Sequence, residues 1–248
     1  MSILVTGGTG TLGRPTMAAL RSQGHAVTAL SRRPGEGRAV GNLSTGEGLD
    51  RALDGVATVV HCATTRFRDI GQTEVLIDAA ERAGVEHVVF VSIVGVDDIP
   101  YFYYRDKVAS EQAFIASDLP LTILRATQFH DFVAGFLRPQ RRLPVLLVPE
   151  LPVQPIAVED VAERLVEIVA GPPLGRTEDI GGPMVLTVME AARQWQRAHG
   201  TRRRMLPVRV PGALGAGFRA GHHTTGLPGY GRRTFAEYAA EQAAALGR

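Results

Sequence analysis

Residues 2–13 read Ser2-Ile3-Leu4-Val5-Thr6-Gly7-Gly8-Thr9-Gly10-Thr11-Leu12-Gly13, and this stretch decides the fold. A short apolar run, the mark of a strand buried on both faces, breaks at paired glycines. Leu12, Met17 and Leu20 then recur at helical spacing until Gly24 stops the run. The glycines satisfy two patterns at once, G-x-x-G-x-x-G through Gly7, Gly10 and Gly13, and G-x-G-x-x-G through Gly8, Gly10 and Gly13. In a strand–turn–helix the first glycine permits the tight turn, Gly10 lets the backbone approach a pyrophosphate, and Gly13 lets the helix pack on the strand. The helix start offers unpaired N–H groups and the positive end of its dipole to the phosphates. Thr9, Thr11 and Leu12 belong to the same dinucleotide-binding turn. The glycine pattern alone is weak evidence, and its place between a strand and a helix is what carries it; a purely structural turn is the competing reading.

The alternation continues along the chain. Strands are predicted at 26–30, 40–43, 58–62, 88–93 and 121–124, with helices at 49–53, 70–83 and 103–116 between them. Short connections and nearly continuous apolar strands predict an α/β protein, a doubly wound parallel sheet covered by helices on both faces. After Arg125 prolines appear at 139, 144, 149, 152 and 155, and strands become short. Helices are expected near 159–170, 187–199, 212–220 and 233–246. The reading is one domain over 1–248, with 1–125 the dinucleotide-binding core. Residues 126–248 are expected to form mostly a small substrate-capping region, with some elements returning to the sheet.

Composition sets the limits. The chain has 248 residues, 45% hydrophobic and 21% charged, which argues against disorder. No apolar run reaches transmembrane length, and with a core strand predicted from Ser2 no targeting segment is expected. Cys62 is the single cysteine, so no intramolecular disulfide is possible. A cytoplasmic location without a membrane partner is expected. Net charge is +2 with the basic residues dispersed; Arg202-Arg203-Arg204 reads as a solvated patch rather than a nucleic-acid contact. His222-His223 lacks a third ligand at suitable spacing, so no metal site is expected. The oligomeric state stays open.

The second strand ends in Leu30-Ser31-Arg32-Arg33-Pro34. An NAD site usually has an acidic residue here for the ribose 2′-hydroxyl. Its absence, with two guanidiniums able to clamp a 2′-phosphate, favours NADP(H) over NAD, Ser31, Arg32 and Arg33 being the contacts. Tyr103 and Lys107 lie four apart at the start of a predicted helix and share one face. Ser92 ends the preceding strand. A carbonyl reductase needs this set: Tyr103 donates a proton as hydride arrives, Lys107 lowers the phenol pKa and holds the nicotinamide ribose, and Ser92 polarises the carbonyl. Lys107 is also the single lysine among 27 Lys and Arg residues. Tyr104 is the alternative to Tyr103, packing against the sheet. His61 reads as a packing residue, and His130-Asp131 as pocket lining or helix capping.

These motifs together resemble the short-chain dehydrogenase/reductase superfamily in its atypical, NmrA-like branch. The segments are TGGTGTLG at 6–13, SRRP at 31–34, GNL at 41–43, VVHCATT at 59–65, VFVSIVGVD at 89–97, YYRDK at 103–107, LRATQFHDF at 124–132 and PIAVEDVA at 155–162, covering nearly the whole chain. The resemblance implies a Rossmann-type fold. It implies that Asn42-Leu43 lies beside the adenine, where relatives usually carry Asp-Leu, and that the backbone of Cys62-Ala63-Thr64 lines the ribose. Thr127, Gln128 and Phe129 would lie under the nicotinamide and beside a small-molecule substrate; the position of Phe129 and His130 just past the sixth strand, where ligands of open α/β sheets gather, makes both expected substrate contacts. The interval from Ser92 to Tyr103 is slightly shorter than the family's. The activity implied is NADPH-dependent reduction of a carbonyl or quinone in a small, largely apolar molecule. A non-catalytic redox sensor and a non-reducing isomerase or epimerase are the other readings.

Overall fold

The computed structural model describes residues 1–65, 69–226 and 228–246. In chain order the elements are β1 (Ser2–Thr6), α1 (Gly13–Ser22), β2 (Ala26–Ser31), β3 (Arg38–Val40), α2 (Leu49–Leu53), β4 (Thr58–His61), α3 (Asp69–Arg82), β5 (His87–Ile93), α4 (Phe102–Ala116) and β6 (Leu121–Ala126). There follow α5 (His130–Leu137), a 3-10 turn (Arg138–Arg142), β7 (Val145–Pro149), β8 (Pro152–Val153), α6 (Val158–Val169), β9 (Gly175–Arg176), β10 (Leu186–Thr187), α7 (Val188–Ala198), β11 (Arg204–Val208), α8 (Gly212–Arg219) and α9 (Phe235–Leu246). They gather into two compact units, the first of residues 1–92, 102–125 and 161–178, the second of residues 93–101, 126–160 and 179–248.

The apolar runs of the first unit have no polar face to show water, so they stack as interior strands. The sheet has seven strands in the order β3-β2-β1-β4-β5-β6-β9. The pairs β1–β2, β1–β4, β2–β3, β4–β5 and β6–β9 are all parallel. This is the doubly wound α/β sheet that the sequence predicts. Chain order reverses on either side of β1, and ligands of such sheets gather beyond the strand ends at that reversal. Leu4, Leu30, Val59, Leu76, Phe90, Phe114 and Ile123 form part of the core under the helices. The third strand lies at 38–40 rather than 40–43. Asn42 explains the shift: its Oδ1 accepts the Ser44 N–H at 3.0 Å, a side-chain turn that ends the strand early.

In the second unit β7 pairs with β11 in parallel and β8 with β10 antiparallel. A core of Leu137, Leu146, Val148, Trp195, Phe235 and Tyr238 joins them to α5, α7 and α9. Thr187 and Glu190 close a reciprocal cap at the start of α7. No helix among the described residues is long and apolar enough to cross a membrane.

Candidate active site

The glycine turn follows β1 and each glycine meets a different constraint. Gly7 has φ 66°, and a Cβ there would lie 2.8 Å from the Ala63 backbone. At Gly13 a Cβ would fall 2.2 Å from the Gly7 carbonyl oxygen, so this glycine seats α1 against the turn. Gly10 is exposed, and a Cβ there would meet only the Gly7 oxygen, at 3.1 Å. At Gly8 a Cβ would lie 2.5 Å from Met17 Sδ, so Gly7, Gly8 and Gly13 hold the turn and Gly10 keeps its outer face clear. Helix α1 has no side-chain cap and no acidic residue in its first turn, so an anion is the natural partner for its N-terminus. Thr9 and Thr11 are exposed beside it, whereas Leu12 is buried. The residues present fit a dinucleotide.

Arg32 and Arg33 are exposed past β2, and among the described residues no carboxylate pairs with either. The Arg33 N–H donates to Ser31 Oγ at 3.1 Å. Asn42 spends its side-chain oxygen on its own loop, and Leu43 is buried in the core. After β4 the Ala63 N–H donates to Thr6 Oγ1 at 3.2 Å, and Thr6 Oγ1 lies 2.7 Å from His61 Nδ1. His61 is buried and stacks on Phe90; burial takes its pKa down to about 3, with Lys107 adding to the effect, so it is a neutral packing residue. Burial likewise pushes the Cys62 thiol up to about 12, which leaves it protonated and unreactive.

Tyr103 and Lys107 stand one turn apart on α4. Tyr104 is buried, whereas Tyr103 is only partly so, and its Oη lies 3.1 Å from Thr64 Oγ1. Lys107 is 4% exposed, and its Nζ is 4.8 Å from the centroid of the Phe90 ring. Its partner is a residue that sequence reasoning missed, Asp69 at the head of α3, with Oδ2 3.3 Å from Nζ. An acid at a helix start is an ordinary sight; the usable signal was that a buried lysine demands an anion. Burial works to raise the Asp69 pKa, but Lys107, Thr64 and Thr65 outweigh it and hold the carboxyl below its usual value. Burial takes Lys107 below the usual lysine value, with Asp69 opposing. Ser92 is buried with Oγ making no hydrogen bond among the described residues. Such a hydroxyl forfeits roughly 1–3 kcal/mol, a cost that a ligand can relieve.

Thr127, Gln128, Phe129 and His130 belong to the second unit. Thr127 is buried and donates its hydroxyl to the Gln154 carbonyl oxygen at 2.6 Å. Gln128 uses both ends of its amide, donating to the His223 carbonyl and accepting the Gln154 N–H. Phe129 is half-buried at the cap of α5. His130, expected as pocket lining or helix capping, is the first residue of α5. It is 1% exposed, with Nε2 3.2 Å from the Pro155 oxygen and its ring against Phe235 and Tyr238, because α5 begins at this residue and turns it inward. Burial brings its pKa to about 4. Among the described residues no group of three His, Cys, Asp or Glu side chains is placed to hold a metal.

A glycine turn of this geometry at the reversal point of a parallel sheet defines a dinucleotide-binding α/β protein. The family model described as NAD(P)H-binding matches residues 7–172, and the chain belongs to that family. A (4-alkanoyl-5-oxo-2,5-dihydrofuran-3-yl)methyl phosphate reductase of Streptomyces griseus subsp. griseus is 33% identical over 211 residues, 80% of this chain and 74% of that protein. The photosystem II assembly factor Ycf39 of Synechocystis sp. is 31% identical over 59% of this chain, which spans 49% of the factor's length. The fold is shared with an NADPH-dependent quinone oxidoreductase of Escherichia coli (TM-score 0.82, 16% identity, 97% of this chain and 99% of that one). It is shared also with a Citrobacter sp. triphenylmethane reductase solved with NADP(H) (TM-score 0.80, 20% identity, 98% and 100%). The protein is thus an NAD(P)H-binding member of a reductase-like family.

Proposed function

We propose that this protein is an NADPH-dependent reductase of a ketone or quinone carried by a small, largely apolar molecule. The observation that carries the reading is Tyr103, a partly exposed phenol hydrogen-bonded through Oη, one helical turn from the buried Lys107. The nicotinamide, when bound, supplies the hydride. Tyr103 gives its proton to the oxygen that gains negative charge, and Lys107 supplies positive charge near the phenolate left behind. Ser92 is a second hydrogen-bond donor for the substrate oxygen, in keeping with its unsatisfied hydroxyl. Arg32 and Arg33 favour a 2′-phosphate.

The experiment is cofactor titration followed by NADPH consumption against a panel of small ketones and quinones. NADPH is expected to bind more tightly than NADH, and replacing both arginines by Ala should remove the preference. Equal affinities that ignore the replacement would contradict the NADP assignment. The similarity to an assembly factor favours a second reading, a dinucleotide-binding regulator without turnover. Tight NADPH binding with no consumption across the panel would select it.

A further inference from the structure

We infer that Asp69 and Thr64 complete the proton-donor unit, Asp69 as the counter-ion that positions Lys107 and Thr64 as the hydroxyl that links this pair to Tyr103. The inference rests on the reductase reading for its activity arm and on geometry alone for its ion-pair arm.

The first observation is the setting of Lys107. An ammonium enclosed over an aromatic ring keeps its proton only where an anion stands beside it. Among the described residues, the groups that face Lys107 are Asp69 from α3, His61 and Cys62 at the end of β4, and Asp106 from α4. His61 and Cys62 are neutral for the reasons given above. Asp106 is turned to the head of α3, where Oδ2 accepts the Asp69 N–H at 2.5 Å and Oδ1 the Ile70 N–H at 3.3 Å. The ion pair falls to Asp69, and Asp106 fixes the helix start that presents it.

The second observation gives the hydrogen bonds a direction. Asp69 Oδ1 accepts the Thr65 N–H at 2.6 Å and the Thr65 hydroxyl at 3.1 Å. Its Oδ2, besides facing Lys107, accepts the Thr64 hydroxyl at 2.6 Å. A carboxylate has no proton to give and a threonine hydroxyl has one. Thr64 has spent its proton on Asp69, so across the 3.1 Å contact it is Tyr103 that donates. The chain runs from Tyr103 Oη to Thr64 Oγ1 to Asp69 Oδ2, and Lys107 Nζ closes it. When the Tyr103 O–H bond breaks and the O–H bond of the product alcohol forms, Thr64 turns its hydroxyl from Asp69 to the phenolate while Asp69 keeps Lys107. Water then returns a proton to Tyr103.

Lys107 is the single lysine of the chain, so protein grown on isotope-labelled lysine gives one side-chain NMR signal whose titration belongs to that residue. Asp69→Asn should move this titration to lower pH, Asp69→Glu should restore it, and Thr64→Val should leave it at the wild-type position. In turnover, Thr64→Val should lower kcat about tenfold with the KM for NADPH unchanged, and Thr64→Ser should recover it, as expected for one lost hydrogen bond. Asp69→Asn should bring the alkaline fall of kcat/KM to lower pH. An unmoved Lys107 titration in Asp69→Asn would overturn the counter-ion role, and full activity of Thr64→Val alongside an inactive Tyr103→Phe would overturn the role of Thr64. Should Asp69→Asn fail to fold, the Asp69→Glu titration and the two Thr64 variants carry the test. Full activity of Tyr103→Phe would instead defeat the reductase reading, and the lysine titration would still decide the ion pair.

Discussion

Position 107 breaks the habit of a chain whose 27 Lys and Arg residues are otherwise all arginine. The space there is closed by the Phe90 ring and the Asp69 carboxylate, and a compact ammonium fills it. A guanidinium is wider and aims its donors in a fixed fork. Lys107→Arg should therefore lower kcat by on the order of 10²–10⁴ although the charge is kept, as steady-state kinetics with NADPH would show. Rates within a few-fold of wild type would leave Lys107 a purely structural cation. Gly10 has a different logic. A Cβ there meets the Gly7 carbonyl oxygen alone, at a tight 3.1 Å that a small backbone shift relieves, so Gly10→Val should fold, which circular dichroism can verify, and yet lose dinucleotide binding because the side chain occupies the phosphate approach. Retained binding at wild-type strength would reduce the glycine turn to a structural feature.

At the scale of elements, α4 is tied to its neighbours by two of its carboxylates. Asp106 caps α3 from the first turns of α4, and further along Glu111 forms a two-pronged buried ion pair with Arg125 of β6, at 2.8 and 2.5 Å. Glu111→Ala would take this carboxylate away from a buried guanidinium and should cost about 3–5 kcal/mol in urea unfolding, whereas replacing both partners by apolar residues should cost far less. A small loss from Glu111→Ala alone would mean that water reaches the pair. The elements around α4 were legible in the sequence because each long helix and each interior strand repeats its own period. Strands β7 to β11 were not. They are two to five residues long, and β11 finds its partner β7 across roughly 55 intervening residues, so no local pattern announces the pairing. Helix α5 also escaped, with eight residues and Gly135 inside it, and with it went the orientation of His130.

Across the whole molecule the same limit governs the site. Glycine turn, arginine pair and the Tyr103–Lys107 interval are local patterns and were readable. Asp69 is joined to Lys107 across two helices, and an aspartate at a helix start carries no mark of that distant partner. Burial of histidine gives a further whole-molecule consequence. His61 in the first unit and His130 in the second have folded pKa values of about 3 and about 4. Both lie below the unfolded value of about 6.5, so between these limits the unfolded chain binds more protons. Stability should be full above pH 6.5 or so and fall as pH drops, by roughly 1.4 kcal/mol per pH unit for each histidine. The depressed Asp69 adds its own loss only at more acidic pH, below its ordinary carboxylate range. Urea midpoints followed from about pH 7 to about pH 5 would show the slope, and a flat profile would mean that the two rings can charge in place. The reductase reading stands on Tyr103 as the proposed proton donor. Its most direct test is the rate of NADPH oxidation by Tyr103→Phe against wild type, at saturating NADPH and with the ketone or quinone that wild type consumes fastest. A kcat lower by on the order of 10²–10⁴ with unchanged NADPH affinity is the predicted result, and equal rates would contradict it.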